Sequence, residues 1–550
     1  MRGSVSNKLP NLVSPKLIVV IVSVVTLILT PWFNVDSLVV PKLVILFCSS
    51  LYLLPIILYG TNSTREIKVL YLILSLTLVQ ICISIFSSES PVEQQVFGRT
   101  GRGLGLLVYI SLFVFTIASA KLFYLGNLDL IILSIVWTNL FSSIYSILQK
   151  FGLDLIEWDT RTNGIIGTLG NPNFQAAFSG MALVPTLAFA YKQRNKTRYT
   201  SFLLILVNVI AIFFTQSTQG YIISFISILS LTLFFLRYKY IKLFILFFSL
   251  ALILFFIIAL GIFNSGPLSR FLYKASLASR AEFWRTSWTT SVNNPYTGVG
   301  IDSLGDYSRV YRSPSDALGI NENFDNAHNQ FLEAAATGGF PLLILNSLFI
   351  VFTLIMFYKV QKKLGKFDSR FSSLFCIWIA FQAQSLISPG SIALFAWNAI
   401  VSGAAIGTAI SLNESQGFTD IHYINKKANA KMLQFFSLLI SFLIVFPYFN
   451  ADKLQYSSFT KSDALLAVKA ATMYPESSVR YSQVGSQLLK SNLPVQALVV
   501  ARSAIRFNPN AITGWALLYS NPNATEIEKK QALAELIRLD PNNQNLRKLK

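Results

Sequence analysis

The sequence predicts an all-α, polytopic membrane protein. Hydrophobic residues make up 53% of the chain and charged residues only 13%, whereas about a quarter of the residues in a soluble domain are charged. The apolar residues stand in long unbroken runs such as LFILFFSLALILFFIIALGIF. Runs approaching about twenty apolar residues are long enough to cross the hydrocarbon core of a bilayer as helices.

Thirteen segments are predicted to span the membrane. They lie near residues 16–33, 37–59, 67–86, 104–125, 128–148, 172–191, 201–215, 220–236, 241–263, 332–358, 371–388, 390–411 and 432–450. The first segment is too long for a signal peptide and has no small-residue cleavage site, so we predict that it is a true span. Residues 1–450 then form the membrane domain.

Basic residues in the short loops predict the orientation. Loops such as TNSTREIK, YKQRNKTRYT and YKVQKKLGKFDSR alternate with connections such as NVDS, TQSTQ and SPGS, which contain no Lys or Arg. Because cytoplasmic loops are rich in Lys and Arg, the N-terminus is predicted to be cytoplasmic and the C-terminal tail extracytoplasmic. Much of the net charge of +20 is therefore a topology signal, which favours a membrane protein over a nucleic-acid-binding one.

The centres of the predicted spans lack ionisable residues of the kind that ion-coupled carriers use. These centres contain no Asp, Glu, Lys or Arg, which argues against a proton- or sodium-driven carrier, although a carrier that uses backbone or hydroxyl groups stays open. Cys48, Cys82 and Cys376 all fall within spans and lack metal-ligand spacing. The sequence therefore predicts no metal site.

Exterior arginines are the exceptions to the positive-inside pattern. Arg99 and Arg102 stand in VFGRTGRGLG, Arg161 stands in DTRTNGIIGTLGNPNF, and several more lie in the long external loop 264–331. A guanidinium group binds phosphate oxygens in a bidentate manner and keeps its charge. These arginines therefore indicate a site for a phosphate-bearing lipid headgroup, or else they contact ordinary anionic lipid or pair with loop carboxylates.

Within this loop, SRAEFWRTSWTTSVNNP predicts a helix. Ser279 and Glu282 stand in the register of a capping box, and Pro295 ends the element. Trp284 and Trp288 share one face of that helix.

His328 is one of only two histidines in the chain and lies in DNAHNQFLEAAATGGF. Asp325 or Asn326 is predicted as the N-cap, which would place His328 in the first helical turn. A helix N-terminus disfavours imidazolium, so the sequence suggests a neutral imidazole that accepts a proton, although Asp325 and Glu333 oppose this shift. A surface or capping histidine is the alternative, and His422 is predicted to be an ordinary residue of an inner loop.

The tail 451–550 has no apolar run of membrane length. Pro475, Pro509 and Pro541 stand 34 and 32 residues apart with Ala-rich helical patterns between them, an arrangement that resembles the tetratricopeptide repeat. Such repeats usually bind a peptide or protein partner. The alternative is a helical cap that stabilises the outer loops.

The order of these motifs resembles the superfamily of O-antigen ligases and O-antigen polymerases, over roughly residues 90–410. The similar elements are GRTGRGLG, GTLGNPNFQAAF, Arg280, Trp284, NPYTGVG at 294–300, His328–Asn329 and Gly338–Gly339. One position departs from the family, because TQSTQGYIIS has Gln219 where relatives often have arginine. Gln219 can still form hydrogen bonds, but it supplies no charge.

The resemblance implies a metal-independent, GT-C-like glycosyltransferase of the bacterial cytoplasmic (inner) membrane that uses no cofactor. Its donor would be a glycan linked to undecaprenyl pyrophosphate. Its acceptor would be a hydroxyl of lipid A core in a ligase, of another glycan in a polymerase, or of a protein in an oligosaccharyltransferase.

The resemblance also suggests roles for individual residues. His328 would activate the acceptor hydroxyl, and Arg280 would act with it at the reacting centre. The pyrophosphate is expected to contact Arg280 and Arg161, with weaker candidates in Arg99, Arg102 and Gln219. Trp284 and Trp288 would pack the loop or stack on sugar, and packing is favoured.

Overall fold

The computed structural model of the protein describes residues 13–59, 64–154, 156, 158, 164–192, 196–262, 266–267, 275–314, 324–413 and 427–548. These residues form α-helices and short 3-10 turns, with no strand among them. The predicted all-α fold class is confirmed.

A helix occupies each of the thirteen predicted spans, and the second is interrupted at Leu53. The helices are Pro15–Leu27, Val39–Tyr52 with Leu54–Tyr59, Arg65–Ser87, Leu106–Leu122, Asp129–Lys150, Pro172–Lys192, Lys196–Phe214, Thr218–Lys239, Ile241–Ile262, Gln330–Leu364, Ser369–Ser385, Ile392–Asn413 and Lys427–Lys461. Among the described residues, eight helices are long and apolar enough to cross a membrane, and four more are apolar but shorter. The multi-pass architecture is confirmed, while the count of thirteen stays a prediction.

The connections between spans meet in two groups. Asp36, Arg99, the external loop and the C-terminal tail lie together, since Asp36 Oδ2 accepts from Gly101 N at 2.8 Å and Arg99 pairs with Asp306 at 2.7 Å. At the other end of the helices, Glu66 pairs with Lys359 at 3.1 Å. Successive connections are expected at alternate ends of the helices in a chain that crosses the membrane repeatedly, and these contacts agree with that expectation.

Close helix packing forms the centre of the membrane domain. The helix Ile392–Asn413 lies against Leu106–Leu122, and glycine lets the two backbones approach. A Cβ atom on Gly403 would lie 2.3 Å from the carbonyl oxygen of Thr116. Any larger residue would therefore push the helices apart, as small residues are needed where membrane helices touch.

The helix Gln330–Leu364, here called the site helix, is kinked at Gly339, whose φ is 75°. Pro341 follows and has no N–H, so it cannot donate to the carbonyl of Thr337. That carbonyl instead accepts from Gly300 N at 3.1 Å and Ser84 Oγ at 2.9 Å. The kink thus anchors the external loop to the membrane domain.

Two helices in the external loop are described. The first, Ala275–Asn293, is here called the loop helix, and the second is Leu304–Tyr311. The loop helix begins before Ser279, so the predicted capping box at Ser279 is wrong. Its end at Asn293 agrees with the predicted stop before Pro295.

The C-terminal tail folds into short helices that pack in pairs: Ala464–Ala471, Ser478–Lys490, Pro494–Phe507, Ile512–Ser520, Glu526–Leu539 and Gln544–Lys548. We call this group the tail helices. The last membrane helix continues without interruption through the predicted boundary at 450 to Lys461, and Phe459 near its end packs against the tail core.

The tail helices are docked on the external loop by buried polar contacts. Asp540 accepts from Arg312 at 2.7 Å and from Arg309 at 3.0 Å. Asn508 Nδ2 donates to Asp306 at 3.0 Å. Asn508 and Asp540 directly precede Pro509 and Pro541, so two of the three proline-marked turns face the loop.

We expect Asp540→Asn to loosen this docking. Breaking a buried ion pair by removing one partner costs about 3–5 kcal/mol, and both partners here are almost fully buried, with 3% and 0% of the side chain exposed. Unfolding of the detergent-solubilised protein should begin at lower temperature, and limited proteolysis should release the tail. Glu535→Gln, which breaks an exposed pair with Arg538, should change neither, and equal behaviour of the two variants would contradict a stabilising interface.

Candidate functional site

The candidate site is built around the turn 325–329. The backbone of His328 is left-handed, with φ 49°, a conformation in which histidine is one of the few common non-glycine residues. Its N–H donates to Asn326 Oδ1 at 2.9 Å. The next residue, Asn329, caps the site helix by accepting from Phe331 N at 2.9 Å. The predicted N-cap at Asp325 or Asn326 is therefore wrong, and His328 precedes the helix.

Glu333 fixes this turn from the first part of the site helix. Its Oε2 accepts from Ala327 N at 2.7 Å, and its Oε1 lies 3.3 Å from Arg102 Nη2. Glu333 is itself buried. The Glu333 carboxylate thus holds the backbone of Ala327, next to His328, and Arg102 in turn holds that carboxylate.

The loop helix brings Arg280 to the same place. Phe283, on the next turn of that helix, packs against Phe324 with ring centroids 4.4 Å apart and against the His328 ring at 5.4 Å. Because Arg280 and Phe283 are three residues apart, they share a face of the helix. This contact places the guanidinium close enough to His328 to perturb its titration.

The imidazole of His328 is held neutral. Burial, chiefly, and then the positive charge of Arg280 lower its pKa from 6.5 to about 4, while Asp325 opposes the shift. Its Nδ1 atom is buried and has no hydrogen-bond partner among the residues that the structure describes. The predicted neutral histidine is consistent with this geometry, although the main cause is burial rather than a helix N-terminus.

Arg280 differs from the other arginines near the site. Its side chain is partly exposed, burial lowers its pKa, and no described residue forms a salt bridge with it. An arginine that remains charged beside a neutral histidine can bind an incoming anion.

Arg99 and Arg102 are already paired with carboxylates. Arg99 Nη1 lies 2.7 Å from Asp306 Oδ1. Arg102 Nε lies 3.3 Å from Asp302 Oδ1, and Arg102 Nη1 donates to the carbonyl of Asp325 at 2.6 Å. Both side chains are largely buried, at 12% and 7% exposure.

The charges of this buried cluster do not favour an additional anion. Its two arginines face the four carboxyl groups of Asp302, Asp306, Asp325 and Glu333, and burial raises the pKa of Asp302. The cluster therefore favours a structural role for Arg99 and Arg102, and within the described residues of the site Arg280 is a cation that could meet a phosphate group. Their assignment to the pyrophosphate stays a prediction.

The remaining candidates lie elsewhere or outside the described residues. Arg161 and His422 belong to segments that the structure does not describe. Gln219 is buried at the start of Thr218–Lys239, and its Nε2 donates to Gln384 Oε1. The site helix approaches this region, because Gln330 Nε2 donates to the carbonyl of Ser388 at 3.4 Å.

An apolar cavity of about 130 Å³ lies beside Glu333. Its walls come from several membrane helices and include Leu104, Val108, Phe349 and Phe395. The cavity thus brings an apolar surface up to the buried charge cluster.

The two tryptophans of the loop helix do not share one environment. Trp288 is half exposed and meets Phe340 edge-on at 5.7 Å, whereas Trp284 is partly buried.

Cys48, Cys82 and Cys376 are free thiols. No group of three or more His, Cys, Asp or Glu residues within the described ranges is arranged to hold a metal ion.

Sequence reasoning missed Asp302, Asp306, Asn508 and Asp540. Asp302 and Asp306 follow the NPYTGVG turn within a few residues, and that proximity was an available signal. The two tail residues precede the repeated prolines.

Residues 200–347 match the family described as O-Antigen ligase. The match contains both Arg280 and His328, and it supports the O-antigen ligase and polymerase superfamily that the motifs resemble. No curated protein matches the chain.

Proposed function

Because residues 200–347 match the O-antigen ligase family, we propose that this multi-pass membrane protein transfers a glycan from undecaprenyl pyrophosphate to an acceptor hydroxyl. The reaction would take place at the outer face of the bacterial cytoplasmic membrane. The observation that carries this proposal is the neutral, partly buried His328 beside Arg280, which has no salt bridge within the described parts of the chain.

In the proposed step, His328 accepts the proton of the acceptor hydroxyl. The acceptor oxygen then forms a bond to the anomeric carbon of the donor sugar, and the bond from that carbon to the pyrophosphate oxygen breaks. The electron pair of the broken bond leaves with undecaprenyl pyrophosphate. At neutral pH an imidazole with a pKa of about 4 is unprotonated, so its ring can accept a hydrogen bond and then the proton from the acceptor hydroxyl.

Arg280 stabilises the negative charge that develops on the leaving pyrophosphate. A preorganised cation at a partly dehydrated site is worth more than it would be in water. Arg161, from a segment on the same predicted face, is the second proposed ligand. Pyrophosphate is already a good leaving group, so this scheme assigns no step to a metal.

The apolar cavity beside Glu333 gives the isoprenoid chain a place to enter the protein. The cavity lies among membrane helices, and Glu333 of the charge cluster is part of its lining. A carrier with its first isoprene units in this cavity would hold its pyrophosphate close to the external loop.

Glu333 is proposed as a positioning residue, and its variants should separate position from charge. Glu333→Ala removes the acceptor of the Ala327 N–H, so we expect kcat to fall by roughly tenfold to a hundredfold, with little change in KM, since small displacements at a reacting centre have such effects. Glu333→Gln keeps one oxygen for that N–H and should retain more activity.

Steady-state transfer kinetics with purified protein test this expectation. Glu66→Gln is a matched control, because Glu66 pairs with Lys359 at the opposite end of the helices. Equal kcat for both Glu333 variants and the wild type would contradict a positioning role for Glu333.

The acceptor can be identified from cell-surface glycans in a strain that lacks this protein. Accumulation of free lipid-linked polymer indicates a ligase, single lipid-linked repeat units indicate a polymerase, and unmodified glycoprotein indicates a protein oligosaccharyltransferase. Unchanged surface glycans of all three kinds would contradict the proposed function. A membrane transporter is the candidate from a different class, and glycan uptake by liposomes without transfer would favour it.

The proposed orientation puts the N-terminus in the cytoplasm and the tail helices outside. The contacts of Asp306 with Arg99 and Asn508 support placing the external loop and the tail helices on the same side of the membrane, and the basic loops support the direction. A protein partner for the tail helices would have to use surfaces other than the face docked on the loop.

A further inference from the structure

The loop helix exposes an apolar stripe beside the exposed polar residues Arg285, Thr289 and Asn293. Trp288 and Val292 stand four residues apart, which puts them on one side of the helix, and Tyr296 lies in the turn that follows it. Their exposed fractions are 52%, 53% and 78%. The opposite side, with Phe283, Ser287 and Ser291, is buried.

This stripe is continuous with a surface that faces lipid. Trp288 meets Phe340 at 5.7 Å, and Phe340 begins the straight part of the site helix after the kink. From there the exposed face carries a row of apolar side chains, namely Ile344, Leu348, Val351 and Ile355. Such a row on a spanning helix contacts the hydrocarbon of the bilayer.

The length of that row indicates where the bilayer ends. Tyr358 stands eighteen positions after Phe340, and at 1.5 Å per residue this part of the helix extends about 27 Å. This is close to the roughly 30 Å of a hydrocarbon core. Lys359, Lys362 and Lys363 follow directly at one end, as expected on the cytoplasmic side. Phe340 therefore lies at the outer boundary, and the stripe that touches it lies at the same level.

We propose that Trp288, Val292 and Tyr296 insert into the interfacial region of the outer leaflet, so that the loop helix rests on the bilayer surface. Tryptophan and tyrosine are the residues that concentrate at this depth. The contact would hold Arg280 and His328, on the same helix and on the turn packed against it, at the height of lipid headgroups. This inference rests on the exposed stripe, on its contact with Phe340 and on the predicted orientation of the chain, and it does not depend on the proposed function.

The test uses a single thiol at Val292. The three native cysteines are replaced by serine, Val292→Cys is labelled with an environment-sensitive fluorophore, and the full chain is reconstituted in vesicles of phosphatidylethanolamine and phosphatidylglycerol. Lipids with a nitroxide at shallow or deep positions of the acyl chain then quench the label according to its depth. Matched variants carry the label at Ile344, inside the bilayer, and at Val495, which is 61% exposed on the tail helices.

We expect shallow nitroxide to quench the Val292 label severalfold more than deep nitroxide, and to leave the Val495 label unchanged. Quenching of Val292 no greater than that of Val495 would overturn the proposal. A Val292 label shielded only by added acceptor, or only at high protein density, would also overturn it and indicate an acceptor surface or a contact between copies. Thr289→Cys, exposed on the same side, repeats the measurement if the Val292 variant folds poorly.

Discussion

Replacing His328 with alanine is expected to lower kcat for glycan transfer by about 10²–10⁴-fold, the usual contribution of a positioned general base. KM for the lipid-linked donor should change little, because the scheme gives His328 no contact with the carrier. The rate is measured with purified protein in proteoliposomes by following transfer of a labelled glycan to its acceptor.

Two further variants make this result specific. Alanine also has to adopt the φ of 49° at this position, so His328→Asn is the better probe, since asparagine tolerates left-handed backbone and has no basic nitrogen. His422→Ala removes the other histidine and should leave the rate unchanged. Full activity of His328→Asn at equal expression would exclude a proton-accepting role for His328.

Replacing Arg280 with glutamine should reduce kcat/KM by about 10²–10³-fold, the cost of removing one preorganised group that stabilises developing negative charge. It should also change the pH dependence. The positive charge of Arg280 helps to lower the pKa of His328 to about 4, so its removal raises that pKa towards 6.5. Activity requires the neutral imidazole, and it is lost as pH falls through this pKa. The variant should therefore lose activity at a higher pH than the wild type does.

Arg280→Lys separates the two effects. Lysine keeps the charge but not the bidentate geometry, so the rate should fall while the acid limb of the pH profile stays near that of the wild type. Arg285→Gln, exposed on the same helix, is the control for a lost surface charge. An acid limb that does not move in Arg280→Gln would contradict the electrostatic coupling between Arg280 and His328.

The membrane fold could be predicted from the sequence because hydrocarbon imposes a simple rule. Every long apolar run had to become a helix, since no other structure satisfies its backbone within the bilayer, and each predicted span does contain one. The partners that stabilise the kink at Gly339 and Pro341 could not be predicted from the local sequence. The stability of the kink depends on donors from Gly300 and Ser84, which are distant in sequence.

The site could be predicted only in part. DNAHN contains several residues that can cap a helix, and local pattern alone does not choose between Asn326 and Asn329. The shift in the pKa of His328 comes from burial against Phe283 and from Arg280, and both arise from tertiary packing. The same is true of Arg99, whose partner Asp306 lies about two hundred residues away.

The sequence predicted the helices of the tail, but it did not predict which surface of the tail contacts the external loop. The proline spacing predicted repeated helix pairs and suggested a partner-binding surface. The residues before two of those prolines instead contact the external loop through Asp306 and Arg312. A helical cap over the outer loops, the second interpretation of the tail, describes this face.

The most direct test of the account is a reconstituted transfer assay with wild-type protein, a lipid-pyrophosphate-linked glycan and its acceptor, in the presence of a metal chelator. Each glycan joined to the acceptor should release one molecule of undecaprenyl pyrophosphate, and the chelator should leave the rate unchanged. Glycan that crosses the vesicle membrane still linked to its carrier, or transfer that stops in chelator and returns with a divalent ion, would contradict the account.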